Sequence, residues 1–255
     1  MLPHMPAHDT TRPTAVIGLG EVGQPLLELI RATGAPVVGI DVDTGGLPAS
    51  GEVGVAHVCF PFEIPDFVGE TVRYIELLQP ALTVVNSTVA VGTTRAIAER
   101  SSEAVVHSPV RGKHIRMLEE LKSYVKFVGA MTPEDGAAAV AHFESLGVTA
   151  RALATPETSE LAKLTETTYF GLLIAWAQEV ERYCDQVGAD YDEVVAIFDE
   201  IEFLPPVKYT PGVIGGHCVM PNIEILSQVE NSALLEAIRA SNARKSARAA
   251  VTPSG

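Results

Sequence analysis

One cysteine of this chain sits where it could react. The stretch Pro211-Gly212-Val213-Ile214-Gly215-Gly216-His217-Cys218-Val219-Met220-Pro221-Asn222 holds three glycines and two prolines. Glycine takes positive φ at no steric cost and lets a ligand or another chain come close. Pro221 reads as the first position of a helix through Ile223-Glu224-Ile225-Leu226, which sets Cys218 just before a helix N-terminus. The helix dipole there favours a thiolate, the nucleophilic form of the side chain. Free cysteines are more often small buried hydrophobes. The thiol alone therefore defines no reaction.

A second group has clearer chemistry. Gly18-Leu19-Gly20-Glu21-Val22-Gly23 follows the apolar run Thr14-Ala15-Val16-Ile17 and leads into a helical pattern with Leu26, Leu27, Leu29 and Ile30. A second apolar run, Val37-Val38-Gly39-Ile40, ends at Asp41. Strand, glycines, helix, strand and acid in this order form a dinucleotide fingerprint. The first glycine makes the turn, the second admits a pyrophosphate, and the third lets helix and strand pack. Asp41 is placed to accept from a ribose 2′-hydroxyl and would repel a 2′-phosphate, so NAD is expected rather than NADP. A third group, Arg111, Lys113, His114 and Arg116, could clamp a carboxylate or phosphate on a substrate. Such a charge run can equally be a solvated face.

The elements that must hold these groups follow from pattern. Strand-like runs continue at Val53–Phe60, Leu82–Asn86, Ala104–His107 and Tyr124–Val128, with helical segments at Asp66–Leu78 and Thr93–Arg100. The alternation predicts a Rossmann-like, doubly wound parallel sheet covered on both faces. Ligands bind at the carboxyl ends of such strands, so Pro61, Ser87, Thr88 and Ser108-Pro109-Val110-Arg111 should line the crevice. His57 and His107 fall inside apolar strands and read as satisfied core histidines. A helix from Pro133, ended by Gly147, and a strand Val148–Leu153 should close the sheet. An amphipathic pattern then runs from Thr155-Pro156 to Val187 and stops at Gly188. About 30 residues at 1.5 Å each give roughly 45 Å of helix, long enough to bridge two subunits. Further helices are expected at Asp190–Glu200 and from Asn231 to about Lys245. The expected division is a flexible arm 1–13, an NAD-binding domain 14–153, an all-α substrate and dimerisation domain 154–245, and a flexible tail 246–255.

Composition narrows the partners. The 255 residues are 47% hydrophobic with a formal charge of -14, enough for a sizeable core and unfavourable for nucleic acid or anionic membrane surfaces. Cys59, Cys184 and Cys218 are odd in number and far apart, which is neither a disulfide framework nor a metal spacing and suits a reducing cytoplasm. No run reaches membrane-spanning length, and Met1–Pro13 lacks the apolar core of a signal peptide.

The runs Gly18–Gly23, Ser87-Thr88-Val89-Ala90-Val91-Gly92-Thr93-Thr94, Glu160-Leu161-Ala162-Lys163-Leu164 and Gly215-Gly216-His217-Cys218 together resemble the UDP-glucose/GDP-mannose dehydrogenase family of nucleotide-sugar oxidoreductases, over most of residues 14–245. The family oxidises a primary alcohol through an aldehyde to an acid with two NAD. The resemblance implies that Cys218 is the nucleophile that forms a thiohemiacetal and then a thioester. It also implies that Lys163 stabilises the oxyanion and that Thr88 holds a water. Substrate contacts are expected from Arg111, Lys113, His114, Thr167, Gly216, His217 and Asn222.

The chain departs from the family at three positions. Val110 stands where the family has a glutamate for thioester hydrolysis, Thr167 where it has an asparagine, and Asn222 where it has an aspartate. The resemblance runs to the helix after the cysteine loop, where the family continues into a third domain that helps bind the nucleotide, and a shortened form is expected. Cys218 and Lys163 point to four-electron oxidation, with Glu166 or His217 as a substitute base. The missing carboxylates point to two. A two-electron β-hydroxyacid dehydrogenase-like enzyme and a non-catalytic NAD-binding regulator are the alternatives.

Overall fold

A computed structural model describes residues 12–42, 48–49, 51–110, 117–202, 204, 209–216 and 218–251. The chain forms two compact units, Met1–Lys163 and Leu164–Gly255. The division falls ten residues beyond the 153/154 boundary expected from sequence, inside the long helix.

Short β-branched runs form the strands of the first unit: β1 (Thr14–Ile17), β2 (Val37–Ile40), β3 (Val55–Val58), β4 (Leu82–Val85), β5 (Val105–His107), β6 (Lys126–Ala130) and β7 (Ala150–Leu153). They build one sheet in the order β2-β1-β3-β4-β5-β6-β7. Strands β1, β3, β4 and β5 are buried along their whole length, as strands covered on both faces must be. One pairing differs from the all-parallel expectation, because β6 runs antiparallel to β5. The connection through α4 (Met117–Ser123) therefore begins and ends at the carboxyl edge of β5. That edge is where ligands bind in such sheets.

Helices α1 (Gly23–Ala32) and α5 (Pro133–Ser145) cover one face, around Leu26, Ile30, Val84, Val106, Val128 and Phe143. Helices α2 (Phe67–Leu78) and α3 (Thr93–Ser101) cover the other, around Ile17, Val58, Phe67, Val72, Ile75 and Ile97.

Helix α6 (Pro156–Val187) has the start and stop read from sequence. Gly129 admits its first turn to the sheet, since a Cβ there would lie 2.6 Å from the Thr155 carbonyl oxygen. In the second unit, α7 (Tyr191–Ala196) passes into a 3-10 turn at Ile197–Glu200, and α8 (Val219–Leu226) and α9 (Ala233–Val251) follow.

Two of these helices differ from expectation. Helix α8 begins at Val219, two residues before Pro221. A proline is tolerated in the first turn because the amide it lacks would have no partner inside the helix. Helix α9 runs to Val251, through the stretch from 246 expected to be a tail. Arg244, Lys245 and Arg248 pair with Glu179, Glu181 and Asp185 of α6, which draws these turns onto its neighbour. The arm up to residue 11 and the residues after 251 lie outside the described residues.

Candidate active site

The dinucleotide fingerprint is assembled as its spacing implies. The Leu19 amide donates to Asp41 Oδ2 (2.8 Å), which ties the glycine turn to the end of β2. Gly18 has φ +89, and a Cβ there would lie 2.7 Å from the Phe60 amide nitrogen, so the turn needs glycine to sit on the end of β3. A Cβ on Gly23 would lie 1.8 Å from the Gly18 carbonyl oxygen. Gly20 is different, because its Cβ would meet nothing within 4 Å. The protein does not need glycine at position 20 for its own packing, because that side is open. Glu21 is exposed and Val22, the N-cap of α1, is half-buried. Exposed Pro61 follows Phe60, whose carbonyl accepts from Ser87 Oγ at 2.6 Å. The cofactor residues read from sequence thus meet along one edge of the sheet.

Helix N-termini divide into two kinds. Asp66, Thr132 and Asp190 cap α2, α5 and α7 with their own side chains. Helix α1 has no side-chain cap and no acid in its first turn, and the same is true of α8, whose N-cap is Cys218. The first leaves amides for an anion where the fingerprint expects a pyrophosphate. The second leaves the first-turn amides of α8 without a side-chain acceptor next to Cys218 in the chain.

The Ser87–Thr94 turn is held by residues the motif reading left without a role. Gly92, the N-cap of α3 with φ +94, has no side chain to satisfy the first-turn amides. Glu160 does so from α6, accepting from the amides of Gly92 (2.7 Å) and Thr94 (2.8 Å). Burial pushes the Glu160 carboxyl above its usual range, against hydrogen bonds from Thr94 and Gly92 that favour the ion.

His107 supplies a second tie. Its Nε2 lies 3.1 Å from the Ser87 carbonyl oxygen, which can only accept, so Nε2 carries the proton and Nδ1 accepts from Ser159 Oγ at 2.9 Å. Burial lowers the His107 pKa to about 3, so the ring stays neutral. Glu157 and Arg95 add an ion pair on the exposed side. Half-buried Thr88 and Lys163 thus belong to two segments fastened together on both sides. An α3 N-terminus with glycine in the capping position was the available sign that a carboxylate would come from elsewhere.

The end of β5 is packed rather than polar. Val110 belongs to the apolar core, so position 110 offers no proton-transfer group. Across from it, Lys126 is buried and donates to the carbonyls of Ser108 (2.7 Å) and Pro109 (3.1 Å). Desolvation lowers its pKa to about 7, with Cys59 opposing and Lys163 reinforcing. His57 is fully buried between Asn86 (3.0 Å from Nδ1) and His142 (2.9 Å from Nε2). Both histidines are satisfied core groups.

In the second unit, Cys218 is exposed. Asn222 is buried on the same first turn, with its backbone N–H donating to the Cys218 carbonyl (3.2 Å). Gly216 has φ +78 and supplies the turn before the thiol. Thr167 is buried on α6, one turn before Gly171. A Cβ on Gly171 would lie 2.5 Å from a Val219 methyl, so glycine there lets α8 come against α6. Arg111, Lys113, His114 and His217 lie outside the described residues. Among the described residues no helix is long and apolar enough to cross a membrane.

Residues 157–245 match the family model of the UDP-glucose/GDP-mannose dehydrogenase family, central domain. An NDP-N-acetyl-D-galactosaminuronic acid dehydrogenase of Ralstonia nicotianae is 27% identical over 82% of this chain, and the match spans 62% of that relative's length. The structure of a UDP-D-ManNAc dehydrogenase from Pyrococcus horikoshii superposes with a TM-score of 0.81 at 21% identity, over 94% of this chain and 70% of that one. The fold reaches beyond such enzymes. A 3-hydroxyisobutyrate dehydrogenase of Mycobacterium tuberculosis shares it with a TM-score of 0.71 at 15% identity, over 94% of each chain.

Proposed function

We propose that this chain, whose residues 157–245 match the central domain of the UDP-glucose/GDP-mannose dehydrogenase family, is an NAD-dependent dehydrogenase that oxidises the primary alcohol of an anionic sugar nucleotide. The observation that carries this reading is the pair of uncapped α-helix N-termini, one at the glycine cradle and one at Cys218, where α2, α5 and α7 have side-chain caps and Glu160 serves α3. Gly18–Gly23 and the first turn of α1 would hold the pyrophosphate, and Asp41 the adenosine ribose, with Pro61 and Ser87 lining the same edge. Open space at Gly20 fits that placement. When bound, NAD supplies the hydride acceptor.

The alcohol carbon gives up a hydride and its hydroxyl a proton, leaving an aldehyde. The Cys218 thiolate adds to the aldehyde carbon, and Lys163 stabilises the oxyanion of the thiohemiacetal. A second hydride and the hydroxyl proton leave to form a thioester. Water held by Thr88 then cleaves the thioester to the acid and restores the thiol. The reaction consumes two NAD and one water per acid formed. Glu166 or His217 would stand in for the carboxylate absent at Val110. Thr167, Gly216, His217, Asn222 and the Arg111, Lys113, His114 cluster are the substrate contacts of this reading.

Burial of Val110 in the core favours a second reading, in which oxidation stops at two electrons as in β-hydroxyacid dehydrogenases. The test is NADH formation with NAD and UDP-N-acetyl-D-mannosamine or UDP-N-acetyl-D-galactosamine, with product analysis. Two NADH per acid support the first reading and one NADH per aldehyde the second. Tight NAD binding without NADH from any sugar nucleotide removes both and leaves a regulatory NAD-binding protein.

The exposed face of α6 supports a homodimer. Tyr169, Trp176 and Tyr183 recur every seven residues, each half or more exposed, with Val187 at 78%. Aromatic residues at heptad spacing along one helix suit a two-fold contact with a second copy, where each residue meets its own symmetry mate or a neighbour of it. The partners of this reading are a small anionic substrate and a second copy, in a cytoplasmic setting.

A further inference from the structure

The glycines that free the Cys218 loop also leave it without side chains to hold itself. Among the described residues of 212–218, Gly212, Val213, Gly215, Gly216 and Cys218 are exposed and Ile214 turns inward, 5% exposed. Two buried amides do the holding. Asn242 of α9, 8% exposed, accepts from the Ile214 amide through Oδ1 (2.7 Å) and donates to the Ile214 carbonyl through Nδ2 (3.0 Å). It thus satisfies both backbone groups of one residue, as a paired strand would.

Gln178 of α6, fully buried, donates through Nε2 to the Gly212 carbonyl (2.7 Å) and reaches Asn242 Oδ1 at 3.4 Å. Ser241 Oγ donates to Gln178 Oε1 (3.0 Å), which fixes the orientation of that amide, and Arg182 donates to Ser241 (2.9 Å). Buried polar networks enforce one geometry; in this one the two amides and Ser241 are paired, while Arg182 Nη1 has no hydrogen-bond partner. Filling the same space needs only an apolar side chain. What the amides add is a fixed backbone at Gly212 and Ile214, six and four residues before the thiol.

We propose that Asn242, braced by Gln178 and Ser241, is a positioning residue that holds the Gly212–Gly216 turn so that Cys218 stays at the open N-terminus of α8. The inference rests on the reading of Cys218 as the nucleophile, but its test needs neither substrate nor NAD. Iodoacetamide alkylation of the whole chain is followed at pH 7.5 by mass spectrometry of the peptides holding Cys218 and Cys184. Cys184 is buried in a separate cluster of the same unit and reports on its general packing.

Asn242→Leu should slow alkylation of Cys218 about two- to fivefold, as a thiol leaving the field of a helix terminus would, while Cys184 stays as protected as in the parent. Gln178→Met, which breaks only the tie to Gly212, should act in the same direction and less. An unchanged Cys218 rate in a folded variant overturns the proposal. So does a rise in Cys184 labelling alongside any change at Cys218, or loss of the fold in both variants, since each assigns the network to stability alone. Correct alkylation behaviour in a chain that makes no NADH would leave the positioning role standing and remove the catalytic reading.

Discussion

The Glu160 carboxylate lies 2.7 Å from the Gly92 amide across 68 residues of sequence. Glu160 stands three residues before Lys163 on α6, and Gly92 ends the turn that carries Thr88. One hydrogen-bonded carboxylate therefore couples the segment of the proposed oxyanion stabiliser to the segment of the proposed water ligand. His107 and Ser159 make the same coupling from the other side.

Glu160→Ala leaves the Gly92 and Thr94 amides without an acceptor. The expected cost is about 2 kcal/mol of unfolding free energy, read from the denaturant midpoint, with a loss of turnover exceeding the loss of NAD affinity. Glu160→Gln keeps one acceptor, turns an amide donor towards the other N–H, and should fall between the two.

Three glycines of the fingerprint separate folding from cofactor binding. Gly20→Ala meets no protein atom, so it should melt like the parent and lose NAD binding, measured by calorimetry. Gly23→Ala drives a Cβ to 1.8 Å from the Gly18 carbonyl oxygen and should lose both stability and binding. Gly18→Ala adds a clash with the Phe60 amide at positive φ and should behave like Gly23→Ala. Full NAD affinity in Gly20→Ala would place the pyrophosphate elsewhere.

Buried bases give the first unit a defined pH dependence. Lys126 titrates at about 7 in the folded chain and near 10.4 once unfolded. Between those values the unfolded chain holds the extra proton, so Lys126 makes stability rise with pH. Cys59 opposes this above pH 9, because burial pushes its thiol from 9.0 up to about 12 and only the unfolded chain ionises. Stability should therefore climb from pH 7 to about 9, by roughly 1 kcal/mol per unit, level off to about 10.4, and fall above that, where Cys59 acts alone. Below pH 6.5, His57 and His107 stay neutral in the fold and become charged on unfolding, so stability falls again as acid is added. Denaturant titrations across pH check this, and Lys126→Met should abolish the rise between 7 and 9.

Trp176→Glu places a charge in the centre of the aromatic stripe on α6. The variant should sediment as a monomer while melting of the dilute chain stays close to that of the parent. A parent that is itself monomeric at micromolar concentration would leave the stripe without its proposed partner.

Local chemistry was legible in the sequence wherever one segment sufficed to specify it. The fingerprint is visible because strand, turn and helix adjoin, and α6 is bounded by Pro156 and Gly188 as its pattern suggests. Contacts between distant segments were not legible. Periodicity places Glu160, Gln178 and Asn242 on helices, but their partners at Gly92, Gly212 and Ile214 are set by packing. The reversed direction of β6 depends on where the connection after β5 returns. The last turns of α9 depend on three acidic residues of α6, so the composition of residues 246–251 could not reveal their order.

The central claim is that Cys218 takes part covalently in a second oxidation. Its most direct test is the product spectrum of Cys218→Ser, supplied with NAD and the sugar nucleotide the parent oxidises. The account predicts that the variant forms no acid beyond background and that any turnover halts at the aldehyde, with at most one NADH per substrate. Acid produced at the parent rate, with two NADH each, would contradict it.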